Sequence, residues 1–97
     1  MIVEIQCLPS PLGTAEAPYA HIEAAIGVIQ GSGLKYEVGA LGTTIEGPAD
    51  AVWDVARRAH EACLAAGAAG LVSVIKVEQS SASAPPTIDS LTAKFRA

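Results

Sequence analysis

Residues 2–8, Ile-Val-Glu-Ile-Gln-Cys-Leu, set Val3, Ile5 and Cys7 on one side and Glu4 and Gln6 on the other. A period of two marks a half-buried strand. The Pro/Gly run at residues 9–14 reads as a loop. After Pro18, which suits the first turn of a helix, Tyr19, Ile22, Ala25, Ile26 and Ile29 recur at helical spacing. Gly31 and Gly33 end that helix. Residues 34–38 predict a second strand, with Tyr36 and Val38 opposed to Lys35 and Glu37. Gly39-Ala40 predicts a tight turn with Gly39 at positive φ, leading to a third strand from about Leu41 to Glu46 with a bulge at Gly42. Gly47-Pro48 opens a second helix whose apolar stripe is Val52, Val55, Ala56, Ala59 and Cys63. Asp50 suits the positive end of its dipole, and the helix should stop at or just before Gly67. Leu71 to Glu78, rich in Val and Ile, predicts a fourth strand.

The order βαββαβ predicts an α+β, ferredoxin-like sandwich with both helices on one face of a four-stranded sheet. Strands one and three should be central, and are expected to run parallel; strands two and four should form the edges. Residues 1–78 are assigned to this domain. Residues 79–97 are read as a Ser/Pro-rich linker and a short amphipathic helix carrying Ile88, Leu91 and Phe95, capped by Thr87 or Asp89. So short a helix needs a surface to dock on. If Val3, Ile5, Cys7, Tyr36, Val38, Ile75 and Val77 pack under the helices, the open face carries Glu4, Gln6, Lys35, Glu37, Thr44, Glu46, Val72, Val74 and Lys76. Ile2 and Leu8 make that face partly apolar, so a second sheet is expected to pack on it. Glu4 and Lys76 then either pair at a subunit contact, or Glu4 joins Gln6, Thr44 and Glu46 around a polar pocket.

Composition narrows the function. The chain has 97 residues, is 51% hydrophobic and 16% charged, and carries a formal charge of −4. Its six Lys and Arg residues are scattered, which argues against nucleic acid as a partner. No apolar run approaches the ~20 residues of a membrane span, and no leader precedes the first strand, so a cytoplasmic protein is expected. Cys7 and Cys63 lie in predicted regular elements without metal-ligand spacing and read as buried thiols; no metal or cofactor is expected. His21 and His60 fall on predicted helices and read as surface or interface residues, so no catalytic residue is assigned. Gly31-Ser32-Gly33 lacks the strand–loop–helix setting of a phosphate loop. A small-molecule binder and a pure interaction module, regulatory or structural, with Trp53 and Tyr19 as anchors, remain as the two functional classes.

Five stretches carry a resemblance: MIVEI at the start, PLGT at 11–14, SGLKYEVGALGTTIEG at 32–47, RRAHEA around His60, and VIKV at 74–77. Together they resemble the small thiamine-binding proteins, the YkoF-like group, over nearly the whole chain to about Glu78. The resemblance implies a ferredoxin-like subunit, a homotetramer built as a dimer of dimers through sheet faces, and binding of thiamine or its hydroxymethylpyrimidine moiety near a subunit interface. The chain departs from the family pattern at Gly39, where a polar residue is common, and at Ser73-Val74, where a Ser or Thr pair is common. Its tail is also longer and richer in Ser and Pro.

Thiamine has a cationic thiazolium, which favours a carboxylate or aromatic face, and an aminopyrimidine, which needs both donors and acceptors. Gln6, Thr43 or Thr44, Glu46 and Ser73 supply such groups, and the backbone of Pro11, Gly13 and Thr14 could add more. With strands one and three parallel, these residues are expected to meet at one end of the sheet. Thiamine phosphates would want more basic groups than the chain places there.

Overall fold

The structure, a computed structural model, describes residues 1–96; Ala97, the last residue of the predicted tail, lies outside the described residues. Strand β1 (Ile2–Ser10) leads through the Pro11–Tyr19 loop to helix α1 (Ala20–Gln30). The hairpin β2 (Lys35–Val38) and β3 (Thr43–Glu46) follows, then α2 (Ala49–Ala65), β4 (Gly70–Glu78) and the short helix α3 (Ile88–Thr92), which runs into a 3₁₀ turn at Ala93–Phe95. The sheet order is β2-β3-β1-β4. This is the α+β, ferredoxin-like arrangement that the alternation of the strands and the stripe of α2 predict.

One expectation of the topology is corrected. β3 runs antiparallel to β1, with Ile2 opposite Glu46 and Ile5 opposite Thr43. The crossover through α1 makes β2 parallel to β1; the hairpin then reverses the chain, so the strand inserted between them must oppose both. The start of β1 therefore lies beside the end of β3.

The core forms where α1 and α2 lie over β1 and β3. Val3, Ile5 and Ile45 from the strands meet Ala25 and Ile29 of α1 and Val52, Val55, Ala56, Ala59 and Cys63 of α2. Tyr36 and Val38 share that face but stay exposed, because β2 lies at the sheet margin beyond the cover of the helices. Ile75 and Val77, opposite Ile5 and Val3, are likewise exposed on edge strand β4. Helix α2 is followed, past its C-cap Ala66, by Gly67, whose φ of +126° suits glycine and whose missing Cβ leaves room for His21 Nε2.

His21 is not the surface residue that its helix position suggests. It is buried, its main-chain N–H donates to the Leu12 carbonyl at 3.1 Å, and its ring Nδ1 lies 2.7 Å from the Pro11 carbonyl. A carbonyl only accepts, so Nδ1 carries a proton there. The ring thus ties the Pro11–Thr14 loop to α1. His21→Ala should destabilise the fold by about 1–3 kcal/mol, because the Pro11 carbonyl loses its partner, and should speed proteolysis within residues 11–19. Denaturant titration and limited proteolysis check both.

Helix α3 docks on the open face at the β2–β3 end. Thr87 caps it in a reciprocal capping box with Ser90. Ile88 is buried and its N–H donates to Glu46 Oε1 at 2.5 Å. Asp89 pairs with Lys35, and Arg96 bridges Asp89 at 2.8 Å and Glu37 at 2.9 Å. These partners hold the Asp89 carboxyl below the usual carboxylate range, Lys35 foremost and Arg96 next. Leu91 and Phe95, expected on the docking face, are instead exposed. The polar side of the hairpin at Lys35, Glu37 and Glu46 thus faces the chain's own C-terminal segment.

Candidate functional site

The hairpin closes with Gly39 N–H donating to the Gly42 carbonyl at 2.8 Å, so residues 39–42 form the turn and β3 begins only at Thr43. Gly39 does not take the positive φ expected of it; it is required because a Cβ there would lie 2.9 Å from the Gly42 carbonyl oxygen. Thr43 pairs in register with both Val38 and Ile5, leaving no role for a bulge at Gly42. β1 runs on to Ser10, paired with β4 throughout. Beyond Ile5 its other edge therefore has no strand beside it.

That mismatch in strand length opens a notch in the sheet. The notch is a cavity of about 260 Å³ between Gln6–Leu8 of β1, the Gly39–Gly42 turn, and the apolar side of α1. Ile22, Ala25 and Ile26 form its roof, and Leu12 closes one end. Gln6 and Thr43 are the polar residues of its lining, Gln6 on the open side of the sheet and Thr43 on the helix side, and no Lys or Arg lines it. Glu4 does not line it but lies next to the turn at Gly42, where a Cβ would meet Glu4 Cγ at 3.4 Å. The Glu4 carboxylate pairs with Lys76 across the sheet at 3.3 Å, as the strand pattern suggests, but both groups are exposed and the pair is weak.

Of the residues singled out from the sequence, Gln6 and Thr43 line the notch, from opposite sides of the sheet. Pro11, Gly13 and Thr14 do not line it. Pro11 holds His21, Gly13 packs against the Ala17–Pro18 backbone where a Cβ would clash, and Thr14 Oγ1 accepts from Ala17 N–H. Thr44 lies on the open face opposite Glu4, one residue away in register from Thr43 and on the other side of the sheet. Glu46 sits at the far end with α3, because β3 is antiparallel to β1, so the expected convergence with Gln6 does not occur. Ser73, opposite Cys7, lies on the helix side, whereas Gln6 lies on the open side.

Ser73 Oγ is 2.6 Å from His60 Nδ1, at the base of a second, shallower groove of about 270 Å³ lined by Trp53, Ala56, Arg57 and Ile75. Among the described residues no carboxylate hydrogen-bonds to His60, so the pair lacks the third, orienting group of a triad. Arg57 is engaged with Asp54 and Glu61. Cys63 is buried against the helix side of β1; burial, and secondarily the Cys7 thiol beside it, push its pKa up to about 12, so it stays a thiol at neutral pH.

The residues missed by sequence reasoning are the apolar walls: Leu8, Leu12, Ile22, Ala25, Ile26 and the turn residues Ala40 and Leu41. The one local signal is Pro9 inside β1, since a proline in a strand marks an edge without a partner.

Comparisons with known proteins agree with this architecture. The chain is 38% identical to a structure described as a domain of unknown function, DUF77, from Bacillus cereus, with a TM-score of 0.81 over 99% of this chain and 91% of that one. A UPF0045 protein of Clostridium perfringens is 30% identical, across 97% of this chain and 95% of its own. A Thermotoga maritima structure, described as a candidate thiamine biosynthesis/salvage protein, matches with a TM-score of 0.76 over 99% of this chain and all 100% of that one; at 24% identity this likeness carries the fold. The profile described as Thiamine-binding protein matches residues 3–95, and the chain therefore belongs to the thiamine-binding protein family.

Proposed function

We propose that this chain binds thiamine, or its hydroxymethylpyrimidine moiety, without catalysing a reaction on it, and that the notch beside β1 is the site. The observation that carries this reading is the notch itself: a largely apolar, partly enclosed cavity with a few polar groups at its walls, in a chain of the thiamine-binding family. Its volume of about 260 Å³ suits a small heteroaromatic ring, just under the usual range of drug-sized pockets. The ring lies against α1, and the cationic thiazolium extends through the mouth toward Glu4. The absence of Lys and Arg from the lining favours thiamine over its phosphates.

Leu8, on the wall of the notch, is exposed on the open face together with Val72 and Val74. A second copy packed on that face would bury them and complete the outer wall of the site, which supports the interface location and the dimer of dimers expected for the family. Sedimentation analysis with Val72→Glu, expected to dissociate the assembly, tests that part.

The binding reading is tested by thermal unfolding with thiamine, hydroxymethylpyrimidine and thiamine diphosphate in separate titrations. Thiamine or the pyrimidine at ~100 times its dissociation constant should add about 2.7 kcal/mol, a clear rise in midpoint. No rise with any of the three at millimolar concentration contradicts the assignment. Glu4→Gln should weaken thiamine about fivefold, on the order of 1 kcal/mol for a carboxylate at a solvent-lined mouth, and leave the neutral pyrimidine unchanged. Calorimetric titration of both ligands checks the difference.

A further inference from the structure

Main-chain bonding along β1 says what the notch presents to a ligand. Met1 and Gly47 exchange both main-chain bonds: the Met1 amine donates to the Gly47 carbonyl at 3.0 Å, and Gly47 N–H donates to the Met1 carbonyl at 3.1 Å. Such pairs recur at every second residue of an antiparallel ladder. The register makes Val3–Ile45 and Ile5–Thr43 the next two. Cys7 is the following residue of β1 to turn its N–H and its C=O toward that side. The residue that would answer it is Leu41, which lies in the turn, 81% exposed, outside β3.

Among the described residues no main-chain bond joins Cys7 to the 39–42 turn. Two positions further on, Pro9 has no N–H to offer on the same side. One residue, Cys7, thus displays a donor and an acceptor side by side on the wall of the notch, spaced as a neighbouring strand would need them. Apolar α1 residues lie over one side of that edge, and Gln6 and Leu8 lie toward the open face.

We infer that the main chain of Cys7 is the recognition edge of this site, and that it selects a planar heteroaromatic with a ring nitrogen beside an exocyclic amine. A 4-aminopyrimidine has that edge. Cys7 N–H donates to the ring nitrogen, and the exocyclic amine donates to the Cys7 carbonyl. The ring takes the place of the missing strand residue and lies in the plane of the sheet with one face on Ile22 and Ile26. This inference rests on the notch being the binding site and adds which atoms read the ligand. The Cys7 side chain takes no part, because it points to the helix side beside Cys63.

The test uses two probes, 4-amino-5-hydroxymethyl-2-methylpyrimidine and its analogue with hydrogen in place of the amino group. Calorimetry should show the analogue at least tenfold weaker, since it leaves the Cys7 carbonyl without a donor. Cys7→Pro removes an N–H that no strand uses, as well as fixing φ and removing the thiol, and should lose binding. If Cys7→Pro does not fold, ¹⁵N-resolved spectra of the wild type decide instead: the Cys7 amide should shift downfield and exchange more slowly with the amino compound. Equal binding of both pyrimidines, with the amides of Ile26 and Gly42 perturbed, would overturn the edge and leave the notch standing. Perturbations confined to residues outside the notch would overturn both.

Discussion

Ala25→Phe is expected to abolish thiamine binding, weakening it about 100-fold or more, in a protein that still folds. Ala25 sits on the buried side of α1 and forms part of the notch roof. A phenyl ring there would fill the space assigned to the pyrimidine, and steric exclusion discriminates more strongly than a lost contact. Overpacking ordinarily costs 1–3 kcal/mol, but here the added atoms enter an existing cavity, so the change in stability should stay within about 1 kcal/mol. Calorimetric titration gives the first number and denaturant unfolding the second. Ala25→Leu, a smaller filler, should weaken binding by an intermediate factor. Unchanged affinity in a folded Ala25→Phe variant would place the site elsewhere.

Ile45→Ala should give the largest loss of stability, about 3 kcal/mol, or roughly 12–24 °C in midpoint for a domain of this size. Ile45 is fully buried on β3, between Val3 of β1 and Tyr36 of β2 and beneath the helices. Truncation loses the transfer energy of its methylene and methyl groups and leaves a void that the flanking central strand cannot collapse into. With total stabilities of small domains near 5–15 kcal/mol, such a variant would be markedly less stable, and its binding would have to be measured well below the new midpoint. A shift of only a few degrees would mean that the sheet and helices are less tightly packed than the burial of Ile45 indicates.

Much of the fold is legible in the residues themselves. The alternation of Val3, Ile5 and Cys7 in β1 and the stripe Val52, Val55, Ala56, Ala59, Cys63 in α2 report which sides are buried, because burial is what those patterns encode. The assignment of Gln6, Thr44 and Lys76 to one face follows from the same alternation and matches the register. Strand direction is a matter of connectivity. Reading β1 and β3 as parallel moved Glu46 to the wrong end of the sheet, although its own strand was correctly placed.

The notch itself depends on two residues, Leu41 and Gly42, that stay outside β3. A third strand starting at Leu41 would have paired Leu41 with Cys7 and closed the sheet; the strand starts at Thr43, and the gap is the notch. Nothing in the side chains of Ala40 and Leu41 marks that boundary. It is decided by the Gly39–Gly42 hydrogen bond, a main-chain event. The polar side chains that drew attention, Glu46 and Ser73, are instead satisfied locally by Ile88 and His60. An aminopyrimidine needs a donor and an acceptor, and a strand edge supplies both without any polar side chain.

The most direct measurement is a crystal structure of the protein with thiamine bound. The pyrimidine ring is expected in the notch, within hydrogen-bond distance of the Cys7 main chain and packed on Ile22 and Ile26, with the thiazolium toward Glu4. Thiamine seated instead in the Trp53–His60 groove, or on the face around Glu46 and α3, would contradict it.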